Sequence, residues 1–224
     1  MSTLSKTKSI LLLDTIGDKI VLGFWDGKKL RTKTLKKDLA HKLHSGIKSL
    51  ILTTGYLIQD IDAIGVINGP GSFTGVRTGV TIANALAYAL KVPIYAIDSL
   101  TAQAPLEISK TFPTQGSTLK DAPRSNLGSK KITRNHKRDT VTIILPASHT
   151  EVYTATFKNG KMVGEITLAP KVGAIHESPL QKSDKRIKNL LQMILSKKIK
   201  PQKKVRPLYI KKPNITTSNK KIRN

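Results

Sequence analysis

Ile67-Asn68-Gly69-Pro70-Gly71-Ser72-Phe73-Thr74-Gly75-Val76-Arg77-Thr78-Gly79 is the stretch on which the reading of this chain turns. The apolar run from Asp62 to Ile67 in front of it predicts a short strand. Behind it a helical pattern runs to Leu90 and stops at Val92-Pro93, because proline lacks an amide hydrogen and disfavours α geometry in the residue before it. Ile94 to Ile97 then reads as another strand, so the local order is strand, glycine loop, helix, strand, the signature of an α/β sheet. A glycine turn entering a helix presents free backbone N–H groups and the positive end of the helix dipole, which favour an anion or a capping side chain such as Ser72 or Thr74. The Gly-Lys-Ser/Thr ending of a P-loop is absent, and Gly69, Gly71 and Gly75 do not have the spacing of a dinucleotide fingerprint.

The helix carries a second pattern. Gly75, Gly79, Ala83 and Ala87 recur every four residues, with Val76, Val80 and Leu90 beside them and Arg77, Thr81, Asn84 and Tyr88 along a polar edge. A face without bulky side chains lets another element approach closely. From spacing alone that element is either a foreign helix or the chain's own sheet.

Upstream, Ser9 to Leu35 reads as a β-meander: Ile10 to Leu13, Lys19 to Trp25, a two-residue turn at Asp26-Gly27, and a third strand. Between Asp38 and Leu52, Leu39, Leu43, Ile47, Leu50 and Ile51 mark one face of an amphipathic helix that turns Lys42 and Lys48 outward. Downstream, Ser99 is placed to cap a helix from Leu100 to about Lys110. Phe112 to Thr140 has no periodicity and reads as a basic loop or linker. Val141 to Leu145, Val152 to Phe157 and Lys161 to Leu168 read as strands, the last two joined by an Asn159-Gly160 turn. Ser183 then caps a helix with an apolar stripe at Ile187, Leu190, Leu191, Ile194 and Leu195.

With 38% hydrophobic and 24% charged residues over 224 positions, the composition supports a packed core of one large or two modest domains. The longest uncharged stretch, Ala63 to Val76, is 14 residues and too short to span a bilayer. The apolar run Ile10 to Leu13 is too short for a signal-peptide core, so the expectation is a cytoplasmic chain. The absence of cysteine excludes disulfides, thiolate metal sites and cysteine nucleophiles. The net charge is +25, from 39 Lys+Arg against 14 Asp+Glu, and residues 106–224 hold 26 of the basic residues and 7 of the acidic ones. Such a field attracts polyanions, RNA among them.

The run at 67–79, Ala83 to Ala87 and Val92-Pro93-Ile94 behind it, and Asp98-Ser99-Leu100 resemble the signature of the TsaB (YeaZ) family. Ile10 to Thr15, Asp60 to Ile64, Glu151-Val152-Tyr153 and Arg206 to Ile210 are similar to further landmarks of that family in the same order. The resemblance implies a two-lobed actin-like ATPase (ASKHA) α/β fold with an abbreviated second lobe. Residues 1–110 would form the first lobe, 111–140 the basic linker, 141–210 the second lobe and 211–224 a basic tail.

The function implied is that of a non-catalytic subunit in the synthesis of threonylcarbamoyladenosine (t6A) on tRNA. Its partners would be the catalytic paralogue TsaD, the small ATPase TsaE, and tRNA through the complex, with homodimerisation through the same helix left open. Under that resemblance Gly75, Val76, Gly79, Val80, Ala83, Ala87, Arg77 and Asn84 become the partner interface, and Gly69, Pro70, Gly71, Ser72 and Thr74 position the helix. The chain would have no cofactor of its own and no metal, with a nucleotide at the subunit junction as a further candidate. Three departures stand out: Pro146 to Thr150 replace an Asp-Ala-Arg stretch, the His-Ser-Glu segment of the first helix is reduced to His44-Ser45 or His41, and Lys211 replaces a closing arginine.

Two other readings remain. Asp14-Thr15, at the end of the first strand, occupy the place where the actin-like superfamily puts a metal-water aspartate and a phosphate-contacting hydroxyl, which would suit an ATP-binding phosphotransferase. Alternatively, the basic linker and tail suit an RNA-binding accessory protein, in which removal of 211–224 would lower the salt slope of RNA binding. Zinc-protease and serine-hydrolase motifs are absent.

Overall fold

The computed structural model describes residues 9–36, 42–109, 140–148, 150–158, 160–171 and 183–210. It is a mixed α/β fold with two sheets. The first has the order β3-β2-β1-β4-β5, formed by β1 (Ile10–Asp14), β2 (Lys19–Trp25), β3 (Leu30–Lys36), β4 (Ala63–Ile67) and β5 (Ile94–Ile97). β1, β2 and β3 pair antiparallel as a meander, whereas β4 joins β1 and β5 joins β4 in parallel. β1 and β4 are buried along their whole length, as expected of strands covered on both faces.

Helices α1 (Leu43–Leu52) and α2 (Phe73–Leu90) cover one face, and α4 (Ser183–Leu195) covers the other. Alternation decides this. Leu13 pairs with Leu22, whose side chain lies near Gly46 of α1. Leu12 pairs with Gly23 and Gly65, and those two glycines leave room for Ile187, Leu190 and Ile194 of α4. A Cβ on Gly65 would stand 2.9 Å from Ile194 Cδ1.

The second sheet is the antiparallel meander β6 (Thr140–Pro146), β7 (Glu151–Lys158) and β8 (Lys161–Pro170). Its core of Ile143, Leu145, Tyr153, Ala155 and Phe157 takes in Leu100 and Ala104 of α3 (Ser99–Ser109), while Ala102 of α3 belongs to the core of the first sheet. α3 therefore joins the two sheets.

Several boundaries shift. The loop between β2 and β3 holds four residues, because Trp25 pairs with Leu30; Asp26 Oδ1 accepts from the amides of Lys28 and Lys29 at 2.9 and 2.7 Å. Asp98 rather than Ser99 caps α3, accepting from Thr101 N at 2.7 Å, because the Ser99 hydroxyl donates instead to the carbonyl of Pro70. The second lobe expected over 141–210 is smaller than that. α4 and the segment 199–209 return to the first sheet, held there by Ile187, Leu190, Ile194 and Val205 in its core, while Ile210 packs on the core of the second sheet. The linker at 111–140 lies outside the described residues except for Thr140, and so do the tail at 211–224 and the side chain of Ser183. Among the described residues no helix is long and apolar enough to cross a membrane.

Candidate functional site

Ser72 is the N-cap of α2, its hydroxyl accepting from Gly75 N, and the loop before it is fitted closely to its neighbours. Gly69 has a φ of 111° and faces the carbonyl of Leu208 so closely that a side chain would collide with it. Pro70 offers its carbonyl to Ser99, and a Cβ on Gly71 would lie 2.8 Å from that of Ile16. The amide of Ser72 donates to the carbonyl of Ile16, while Thr74 is exposed.

The glycine stripe does not face outward. Gly75, Val76, Gly79, Val80, Ala83 and Ala87 are all buried inside this chain, which overturns the expectation that they form the partner interface. The reason is Thr15. A Cβ on Gly75 would strike the Thr15 carbonyl oxygen, and one on Gly79 would strike its hydroxyl. The missing side chains let the first two turns of α2 rest on the end of β1. Val76, Val80 and Ala83 then seal the rest of that face in the core.

Asn84 is also committed within the chain. Its side chain donates to the carbonyl of Val205 and accepts from the amide of Val205, both at 2.9 Å, closing a two-point clamp on the extended segment after α4. That segment, 199–210, forms a strap. Gln202 and Ile94 exchange backbone hydrogen bonds at the edge of β5, Leu208 N donates to Asn68 O at 2.7 Å, and Asn68 Nδ2 donates to Arg206 O. Tyr209 then packs on Phe73 with ring centroids 5.0 Å apart, and the Arg77 guanidinium lies 5.3 Å over the Phe73 ring. Of the eight residues expected at the interface, Arg77 alone is exposed.

What α2 does present is the line Thr74, Thr78, Thr81, Ala85 and Ala89, spaced four, three, four and four residues apart. It is exposed apart from the half-buried Thr78 and carries no charge.

Asp14 and Thr15 are no open nucleotide site. Asp14 is wholly buried, its Oδ2 accepting from Arg186 Nε at 2.8 Å and its Oδ1 from the amide of Ile16. The Thr15 hydroxyl donates to the carbonyl of Gly75 at 2.6 Å. A phosphate-binding role needs that hydroxyl and that carboxylate turned toward a cavity. Here the first pins a helix, and the second neutralises a buried guanidinium whose Nη2 has no hydrogen-bond partner among the described residues. Arg186 is the residue the sequence reading missed, since it sits in the basic run 182–188 with nothing but its position within the apolar stripe to mark it.

Comparison with known proteins agrees with this architecture. Residues 33–204 match the family model described as TsaD: tRNA N6-adenosine threonylcarbamoyltransferase. The tRNA threonylcarbamoyladenosine biosynthesis protein TsaB of Bacillus subtilis is 44% identical over 66 residues, 30% of this chain and 29% of that protein. The TsaB protein of Escherichia coli is 28% identical over 97 residues, 42% of each chain. The matched region spans about a third to a half of the length of such relatives. A solved Pseudomonas aeruginosa structure, YeaZ, has the same fold, with a TM-score of 0.53 at 21% identity over 73% of this chain and 67% of that one. With the family model covering well over half of its residues, the chain belongs to the TsaD tRNA N6-adenosine threonylcarbamoyltransferase family, on its TsaB/YeaZ side.

Proposed function

We propose that this protein is a non-catalytic subunit of the t6A synthesis assembly, built on a two-lobed actin-like ATPase fold, and that it supports a catalytic TsaD by packing the outer line of α2 against a TsaD helix. One observation carries this reading. On a chain with a net charge of +25, the line Thr74, Thr78, Thr81, Ala85, Ala89, exposed except at the half-buried Thr78, bears no charge over four helical turns, with Arg77 the one cation at its border before Lys91. Depletion of charge marks the centre of protein interfaces, and small side chains allow two helices to approach closely. The glycines behind that line serve it by fixing α2 on β1. Little conformational freedom then remains to be lost on association.

The Asp14–Arg186 pair supports the non-catalytic half of the reading and weighs against the phosphotransferase alternative. A nucleotide at the junction with TsaD would have to be met by groups other than Asp14 and Thr15. In this account TsaE joins the pair, tRNA is engaged by the complex in the cytoplasm, and a second copy of this chain competes with TsaD for the same helix. The test is co-expression with TsaD from the same source, followed by size-exclusion chromatography with mass determination. A stable one-to-one complex is expected; two proteins that elute separately at micromolar concentration would refute the reading.

A further inference from the structure

The end of α2 and the strap enclose a groove lined by Tyr88, Lys91, Pro93, Pro201, Gln202 and Lys203. Tyr88 is 88% exposed, so its ring is not part of the core and offers both faces to solvent. Alongside it the strap and the last turn after α4 present Lys197, Lys198, Lys200, Lys203, Lys204 and Arg206, every one exposed. None of their side chains has an ion-pair partner among the described residues. Six cations in ten residues without an intervening acid repel one another unless a polyanion lies across them. The Gln202–Ile94 exchange and the Asn84 clamp on Val205 fix the backbone of the strap from which Lys203, Lys204 and Arg206 project.

We propose that this groove receives a single-stranded segment of RNA, with a base stacked on Tyr88 and the flanking phosphates against Lys91 and Lys203. An exposed aromatic ring between ammonium groups is the arrangement that single-stranded nucleic acid uses, because every base has a face to stack and every linkage a charge to neutralise. Ala89, the last residue of the uncharged line of α2, also lines the groove, so the site adjoins that line and shares its end, while Thr74, Thr78, Thr81 and Ala85 lie outside it. The choice of RNA over other polyanions rests on the assignment of the chain to a tRNA-modifying assembly.

The experiment titrates the full chain, alone and with TsaD, against a fluorescein-labelled RNA hairpin with an unpaired loop and against a blunt RNA duplex, by fluorescence anisotropy at several salt concentrations. Lys91 has a φ of 55°, so its replacement is Lys91→Asn, which tolerates that backbone, combined with Lys203→Gln. The double variant is expected to reduce the slope of log affinity against log salt by about 1.4. Tyr88→Ala is expected to weaken hairpin binding by roughly 5- to 150-fold and to leave the duplex unchanged.

An unaltered slope in a double variant whose circular dichroism and thermal midpoint match the parent overturns the proposal. So does loss of RNA binding only when 211–224 is removed. If Lys91 and Lys203 govern binding to phosphatidylserine vesicles instead of RNA, the surface is a membrane contact and the proposal is likewise wrong. Size exclusion with TsaD on the same samples separates the two claims. Intact pairing with unchanged RNA binding defeats this inference alone, whereas lost pairing with charge-dependent RNA binding defeats the scaffold reading alone.

Discussion

The hydroxyl of Thr15, at the end of β1, donates a 2.6 Å hydrogen bond to the carbonyl of Gly75, in the first turn of α2. Sixty residues of sequence separate them, and the contact requires that neither Gly75 nor Gly79 carry a Cβ. The glycine stripe is therefore a feature of the chain's own core, and it aims the opposite face of α2 outward.

Gly79→Leu is accordingly expected to damage the isolated chain. Overpacking costs about 1–3 kcal/mol, and the collision here is with the side chain of Thr15, which is buried and whose hydroxyl is bonded to the carbonyl of Gly75. Urea denaturation of the isolated variant checks it. An unchanged midpoint would mean that the stripe is free of the sheet after all.

Asp14 and Arg186 form a buried ion pair, 0% and 3% exposed. Removing one partner of such a pair costs about 3–5 kcal/mol, while exchanging both for apolar groups can be close to neutral. Asp14→Leu should therefore lower the unfolding midpoint sharply, and adding Arg186→Leu should restore much of it. A double variant no better than the single one would show that Asp14 acts through something other than its pairing with Arg186.

Asn84→Ala removes both hydrogen bonds that hold Val205. The expected loss is about 1–3 kcal/mol for the two partly buried groups left unpaired. Hydrogen exchange should show it locally, as faster exchange of the Val205 amide with little change in the amides of β1. Uniform acceleration across the first sheet would contradict the idea of a separately held strap.

Asp26 gives a pH signature. The amides of Lys29 and Lys28, and then Arg31, hold its carboxyl at about 2, below its ordinary value of 3.8. A carboxyl whose value is depressed by folding stabilises the fold above its unfolded value, and that contribution disappears as pH falls through the folded one. Asp26→Asn should thus remove part of the stability lost between roughly pH 4 and pH 2, seen as a shallower acid-unfolding curve; identical curves would contradict it.

The strands and helices of the first sheet were legible because their signals are local. Short uninterrupted apolar runs marked β1, β4 and β5, the Val92-Pro93 stop ended α2, and Ser72 stood ready at its start. The facing of α2 was harder to read, although Val76, Val80 and Ala83 lie on the same side as the glycines and argued for an inward stripe. A four-residue repeat of small side chains says that something approaches closely without saying what. Arg186 and the strap were not legible, because each acquires its role from a residue more than 100 positions away, Asp14 for one and Asn84 for the other.

The most direct test of the scaffold account replaces Ala85, the fourth of the five residues of the uncharged line and exposed to solvent, by arginine. Arginine is a good helix former, so Ala85→Arg should leave the unfolding free energy of the isolated chain within about 1 kcal/mol of the parent's. In size-exclusion chromatography with TsaD, the account predicts that the one-to-one complex is lost with this variant while the parent retains it. Co-elution of a well-folded Ala85→Arg variant with TsaD at the parent's affinity would contradict it.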